Sequence, residues 1–302
     1  MKAVIDIGTN TFHLLIARVA ESAVDIQFKQ TIAVKLGEGG GINKGEIIPS
    51  AYQRGLEAME LFRAAINKYP VETIKATATA AVRDAANGKD FIQEVYQLTQ
   101  IKIDIIDGLK EAEYIYLGAK ATGALSDEKA LIMDIGGGSV EFILANRDQI
   151  FWKKSYRLGA ARLLDRFYKN DPLEEDDKKL LEKHFDAHLA DLFEETARHQ
   201  PQRLIGTAGA FDSYKEMICA RYQEDPSPIV YPLPHKLFLD LLTEIGVSTH
   251  KQRAGIPGLI PLRIDMILMA SLLTSHVLER CPDIKACVSC AYSLKEGLLA
   301  SD

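Results

Sequence analysis

The sequence has no long apolar run, so no segment is expected to span a bilayer. Its opening, MKAVIDIGTNTFHLLIARV, interrupts its apolar residues with Asp6 and Asn10 and offers no small-residue cleavage site. A cytoplasmic location is the resulting expectation. Cysteine is scarce, at 4 residues. Cys287 and Cys290 form a single C-x-x-C with no second pair to complete a zinc site, and Cys219 and Cys281 stand apart. The surrounding IKACVSCAY reads as a buried strand in which cysteine serves as a small hydrophobe. Basic charge is not in excess: 36 Lys and Arg face 42 Asp and Glu, a formal net charge of −6. The whole-molecule field therefore does not favour nucleic acid, and an anionic ligand must be held locally. Neither G-x-G-x-x-G nor G-K-[S/T] occurs, which removes the dinucleotide and P-loop fingerprints.

What is present is ordinary for a soluble globular protein: 47% hydrophobic and 26% charged residues over 302 positions, a length that favours two domains or one large one. Strand and helix signals alternate. Residues 3–7 and 12–19 read as strands around a tight turn, and 24–35 as a third. GEGGGINKG (37–45) reads as a flexible glycine-rich loop. Ser50 is expected to cap a helix running to about Tyr69, with Leu56, Met59, Leu61, Phe62 and Ile66 on its apolar side. VETIKATATAAV reads as a short buried strand ending at Arg83, 89–100 as a helix, IKIDIID as a strand, and Glu111 to about Ala121 as a helix.

The pattern then restarts. Residues 130–135, 140–145 and QIFWKKSYRLG read as three strands, followed by helices at 160–169 and 173–199. RLIGTAGAF reads as a strand ending in a glycine-rich turn. Helices at 235–246 and 262–280, a strand at 284–290 and a last helix, YSLKEGLLA, complete the chain. No proline- or serine-rich linker separates the halves, so the domain division, 1–122 and 123–302, rests on the repeated topology. The last helix (292–302) is expected to pack back on the first half.

The repeat is carried by Asp6-Ile7-Gly8-Thr9-Asn10-Thr11 and Asp134-Ile135-Gly136-Gly137-Gly138-Ser139, two Asp-Ile-Gly-x-x-[Ser/Thr] turns 128 positions apart. Each joins an apolar strand to another strand. Glycine lets backbone N–H groups converge on an anion and permits positive φ. Thr9, Asn10, Thr11 and Ser139 add donors. Such turns can cradle phosphate without formal positive charge. An aspartate beside them would repel phosphate unless a cation, most naturally Mg²⁺, lies between. The alternative is a pair of plain hairpin turns in which glycine serves geometry only.

Two such turns on duplicated domains resemble the actin-like ATPase superfamily. The closer resemblance is to the exopolyphosphatase/guanosine-pentaphosphate phosphatase (Ppx/GppA) family, carried by DIGTNTFHLLIARV, ATATAAVRDAANG, DIGGGSVEF, GTAGAF, PGLIPLRIDMI and SLKEGLL in order along the chain. The resemblance implies an α/β fold of two duplicated actin-like (ribonuclease H-like) domains, each with a mixed five-stranded sheet, around an interdomain cleft. It implies hydrolysis of a terminal phosphoanhydride of inorganic polyphosphate or guanosine pentaphosphate by water. The family's catalytic glutamate falls on Glu111 in IDGLKEAEYIYLG, with Asp107 in place of a serine, Lys110 of an acid and Glu113 of an arginine. Glu111 would also suit a helix N-terminus with no catalytic role.

On the same basis Gly8, Thr9, Asn10, Thr11, Gly136, Gly137, Gly138 and Ser139 are the phosphate-binding residues. Asp134 and Glu141, with Asp6 opposite, are the residues for Mg²⁺ (or Mn²⁺). Arg83 is the fork on phosphate, or else an ion pair with Asp84 or Asp90. His13 reads as packed and hydrogen-bonded, and Arg263 and 206–209 as secondary. The resemblance also implies a homodimer; from charge and the lack of a long apolar run, neither nucleic acid nor membrane is expected as partner. The sequence stops just after the helix expected to close the core, without the further C-terminal helical domains of longer members, so weaker processivity is the expectation. The competing readings are an actin-like kinase or ATPase and a non-catalytic binder of polyphosphate or guanosine tetraphosphate.

Overall fold

The computed structural model describes residues 1–20 and 23–301. Two mixed sheets carry the fold. The first is built from β1 (Lys2–Ile7), β2 (Thr11–Ala20), β3 (Ala23–Ala33), β4 (Thr73–Ala78) and β5 (Ile103–Ile105), in the order β3-β2-β1-β4-β5. The second contains β6 (Ala130–Ile135), β7 (Val140–Ala145), β8 (Ile150–Tyr156), β9 (Arg203–Thr207), β10 (Val230–Leu233) and β11 (Ala286–Cys290), in the order β10-β11-β9-β6-β7-β8. In both, three antiparallel strands adjoin parallel ones: β1 pairs with β2 antiparallel and β4 parallel, β6 with β7 antiparallel and β9 parallel. The shared order of strands makes this a duplicated α/β architecture. The second sheet has six strands rather than five, because β10, unmarked in the proline-rich PSPIVYPLP, pairs antiparallel with β11.

Side-chain alternation explains the layers. Leu131, Met133 and Ile135 of β6 face one core, Ala130 and Ile132 the other. The first face is covered by helices including α7 (Glu175–His199), α8 (Ala208–Tyr222), α9 (His235–Val247) and α11 (Ile264–Arg280). The second is covered by α5 (Gly108–Ala121), whose Ala112, Ile115 and Ala119 pack against Ile132 and Ile143. In the first sheet Ala3, Ile5 and Ile7 face α2 (Pro49–Ile66) and α4 (Gly88–Thr99), whereas Val4 faces Leu298 and Leu299 of α12 (Leu294–Ala300). The last helix thus packs on β1 and β2, and α5, from the first half of the chain, lies on the second sheet. Asp302 lies outside the described residues.

The two crossing helices touch backbone to backbone. A Cβ on Gly297 would lie 1.7 Å from the Tyr114 carbonyl oxygen, and one on Gly118 2.2 Å from that of Ser293. No methyl fits there without parting the helices. Gly297→Ala is therefore expected to cost about 3 kcal/mol, lowering Tm by roughly 5 °C in a thermal-unfolding scan.

Several local expectations change. Helix α2 starts with Pro49 at its first turn and Ile48 at the cap, so Ser50 lies inside it. Leu61 is 55% exposed rather than on the apolar face. The strand through VETIKATATAAV stops at Ala78, and Ala80–Arg83 form a helical turn (α3) that swings Arg83 off the sheet. GEGGGINKG is ordered: a 3-10 turn at Glu38–Gly40 leads into α1 (Gly41–Lys44). GTAGAF opens α8 immediately after β9, with Ala208 at φ 63°. Contrary to the sequence expectation, Pro261–Arg280 is long and apolar enough to cross a membrane by composition, with mean hydropathy 1.3. Over half of its apolar window, 56%, is buried inside the protein, where it packs with Leu131, Met133 and Ile135 of β6. The four cysteines are free and buried, and burial pushes the Cys287 thiol up to about 12.

Candidate active site

Both repeated turns close in the same way. The Gly8 N–H donates to the Thr11 carbonyl at 3.2 Å, and the Gly136 N–H to the Ser139 carbonyl at 3.0 Å. Their glycines do not occupy positive φ; what they supply is closeness. A Cβ on Gly138 would lie 2.6 Å from Thr9 Oγ1 and 2.7 Å from Ala80 Cβ. The two turns therefore abut, one from each sheet, and together line a cavity of about 140 Å³.

The acids gather at this cavity. Asp6, Glu111 and Asp134 line it. Glu141, opposite Asp134 in the β6–β7 ladder, is fully buried. Burial raises Asp6 to about 7, with Lys295 opposing. Burial, then Asp134, raises Glu141 to about 8. Glu111 is pushed well above the ordinary carboxylate range by burial and then by Glu141, against the pull of Arg83. Asp134 is raised by burial too, opposed by the Ser293 and Thr207 hydroxyls. Four carboxyls crowding one low-dielectric site resist simultaneous ionisation.

Most are nevertheless held. Thr207 Oγ1 donates to Asp134 Oδ2 at 2.6 Å, and Ser293 Oγ donates to the same oxygen. Ser155 Oγ donates to Glu141 Oε1 at 2.6 Å, while Glu141 Oε2 is buried with no hydrogen-bond partner among the described residues. Asn10 Nδ2, in the first turn, is likewise unpartnered. Arg83 donates from Nη1 to the Ile106 carbonyl at 3.0 Å and to Glu111 Oε2 at 3.3 Å, and its Nε lies 3.6 Å from Asp84 Oδ1. Arg83 thus pairs with Asp84 and reaches the cavity acid as well.

An orphaned carboxylate oxygen among mutually repelling acids fits a divalent cation. Among the described residues no three His, Cys, Asp or Glu side chains converge on one point. A cation there would take most of its ligands from water and from a phosphate substrate, which suits Mg²⁺.

A model of the Ppx/GppA phosphatase family matches residues 15–302. The chain belongs to that family. An exopolyphosphatase from Cytophaga hutchinsonii, known as a crystal structure, is 38% identical with a TM-score of 0.95, covering 99% of this chain and 96% of its own. A bifunctional 3-dehydroquinate synthase/phosphatase of Fusobacterium nucleatum is 33% identical over 295 residues, 92% of this chain and 43% of the relative. A guanosine-5'-triphosphate,3'-diphosphate pyrophosphatase of Photobacterium profundum is 29% identical over 231 residues, 74% of this chain and 44% of the relative. The chain spans less than half the length of these two curated relatives.

Against the Ppx/GppA pattern, the three departures around Glu111 have local structural roles. Asp107 caps α5, accepting from the Lys110 N–H at 2.8 Å, as a serine would. Lys110 Nζ lies 2.9 Å from Glu113, and Lys153 Nζ 2.5 Å from the same carboxylate. None of the three lines the cavity. His13 does, hydrogen-bonded to Thr11 Oγ1 at 2.8 Å and Thr31 Oγ1 at 3.0 Å. Burial and the charges of Lys295 and Arg263 push its pKa down to about 3 and keep it neutral. Arg263 closes one end of the cavity against Gly209, facing Asp212.

Sequence reading missed Ser155, Ser293, Asp212 and Lys295 as parts of this site, and placed Thr207 only in the secondary turn 206–209. Thr207 and Ser293 sit in the family segments GTAGAF and SLKEGLL; Thr207 ends β9 and Ser293 caps α12, and both meet at Asp134. That recurrence was the available signal.

Proposed function

We propose that this family member is a phosphohydrolase that removes a terminal phosphate from inorganic polyphosphate or guanosine pentaphosphate, with Glu111 as general base. The observation that carries the proposal is Glu111 itself: a buried carboxyl on the cavity of both glycine turns, gripped by Arg83 at 3.3 Å. Backbone N–H groups and hydroxyls of Gly8–Thr11 and Gly136–Ser139 would hold the oxygens of the terminal phosphate. A water between that phosphorus and Glu111 gives up its proton to the carboxylate as its oxygen attacks. The bridging P–O bond breaks, and the shortened anhydride leaves with the electron pair. Its raised pKa makes the Glu111 carboxylate a stronger proton acceptor.

Asp134 and Glu141, with Asp6, are the residues proposed to hold Mg²⁺ (or Mn²⁺), which when bound neutralises charge on the phosphoryl oxygens. Arg83 holds Glu111 in place and faces the incoming phosphate as a planar donor. A homodimer and a cytoplasmic setting belong to the same proposal; light scattering reads the first.

The test is phosphate release from polyphosphate, guanosine pentaphosphate and ATP with Mg²⁺. Release from neither of the first two would sink the reading. ATP consumption only with an added acceptor would favour an actin-like kinase. Since Lys110 is engaged by Glu113 away from the cavity, Lys110→Ala is expected to change kcat/KM by less than about threefold.

A further inference from the structure

The segment GEGGGINKG and the helix after β8, α6 (Ala160–Phe167), have no part in the chemistry above, yet they meet at one buried arginine. Arg162 is 7% exposed. Its Nε donates to the Gly138 carbonyl at 3.0 Å, on the second phosphate turn. Its Nη1 donates to the Ile42 carbonyl at 2.6 Å and lies 3.3 Å from Asn43 Oδ1, both in α1 of the first half. Its Nη2 donates to Asp84 Oδ2 at 2.9 Å. Asn43 returns a bond from Nδ2 to the Arg162 carbonyl at 3.2 Å and another to Asp165 Oδ2 at 2.7 Å.

Each end of this tie leads to the site. The segment before α1 is fixed to the first phosphate turn, with the Gly37 N–H donating to the Thr9 carbonyl at 3.2 Å and the Lys35 N–H to the Asn10 carbonyl at 2.9 Å. Asp84 also pairs with Arg83, which grips Glu111. One planar guanidinium therefore contacts the second turn, the support of the first turn and the ion pair that leads to the base. An ammonium donates from a single nitrogen and could not span acceptors that lie against Nε, Nη1 and Nη2 separately.

We propose that Arg162 is a positioning residue that locks the two phosphate turns in register with each other and with Glu111, so that a phosphate held between the turns is presented in line to the base. The catalytic half of this inference rests on the hydrolase reading; the mechanical half does not. A phosphate still finds donors on each turn without Arg162, but alignment for attack depends on their mutual placement, where small errors are costly.

Arg162→Ala is expected to lower kcat for phosphate release by about 30-fold or more while KM changes by less than about threefold. Added guanidinium is expected to restore part of the lost kcat, and Arg162→Lys little of it. Amide hydrogen exchange is expected to quicken in both 37–46 and 136–139, on opposite halves, and not in α2 or α7. Asn43→Ala, at an exposed position that leaves Arg162 in place, keeps the test open if Arg162→Ala does not fold, with the same pattern at smaller size. Unchanged exchange in 37–46, or kcat unchanged despite faster exchange, would overturn the proposal. Coupled loosening in a wild-type protein that releases no phosphate would overturn the hydrolase reading and leave the tie standing.

Discussion

Glu111→Gln lowers kcat for phosphate release by about 10²–10⁴, the range lost when a positioned general base is removed, with KM changed by less than about threefold. Glutamine keeps the shape of the side chain and can still accept from Arg83 Nη1, which also keeps the Ile106 carbonyl at 3.0 Å. The turns that bind phosphate are untouched. What is lost is the site for the water's proton. The fold does not suffer, because Glu111 is a buried acid whose ionised form is opposed by burial and by Glu141. Steady-state phosphate release, with a melting curve for each protein, separates these effects. Equal turnover in both proteins would remove Glu111 from the chemistry. A loss of turnover in step with a fall in Tm would make its role structural.

That Glu111 could be found from sequence, and its surroundings could not, follows from where the interactions lie along the chain. Asp6–Thr11 and Asp134–Ser139 are local: strand, tight turn and strand are written in consecutive residues, and their repetition announced a duplicated fold. The hydroxyls that hold Asp134 come from 73 and 159 positions away. Only the parallel pairing of β6 with β9 and the return of the chain through β11 to α12 bring them together.

Glycine misled in two places because it marks both loops and close contacts. In GTAGAF it lets Arg263 lie against the start of α8. In GEGGGINKG it shapes an ordered turn against Arg162. The reverse held for the phosphate turns. Their glycines were read as permitting close approach to an anion and positive φ; none occupies positive φ, and the closeness they supply is to Thr9 and Ala80. The sixth strand of the second sheet was hidden by its prolines, which a short strand at a sheet edge tolerates.

The metal-free protein becomes less stable as pH rises from about 6.5 to about 8.5, by on the order of 2 kcal/mol, a Tm fall of about 3 °C. Unfolded carboxyls ionise near their ordinary values of 3.8 and 4.5, whereas Asp6 and Glu141 keep their protons until about 7 and about 8. Glu111 is displaced in the same direction. The folded state thus binds more protons than the unfolded one in this window, and stability drops with rising pH until the folded groups have ionised. His13 and His184, held neutral down to about 3 and about 4, act oppositely, but only below the ordinary histidine value of 6.5. Above that pH the carboxyls decide the slope. Millimolar Mg²⁺ is expected to recover most of the loss at the alkaline end, because it binds the ionised site and not the unfolded chain. Glu141→Gln, which keeps an acceptor for Ser155, is expected to flatten the pH slope and abolish the Mg²⁺ shift. A Tm that stays level or rises across the window would contradict the crowding of buried acids. A Tm that falls with pH and ignores Mg²⁺ would take the cation away from Asp134 and Glu141.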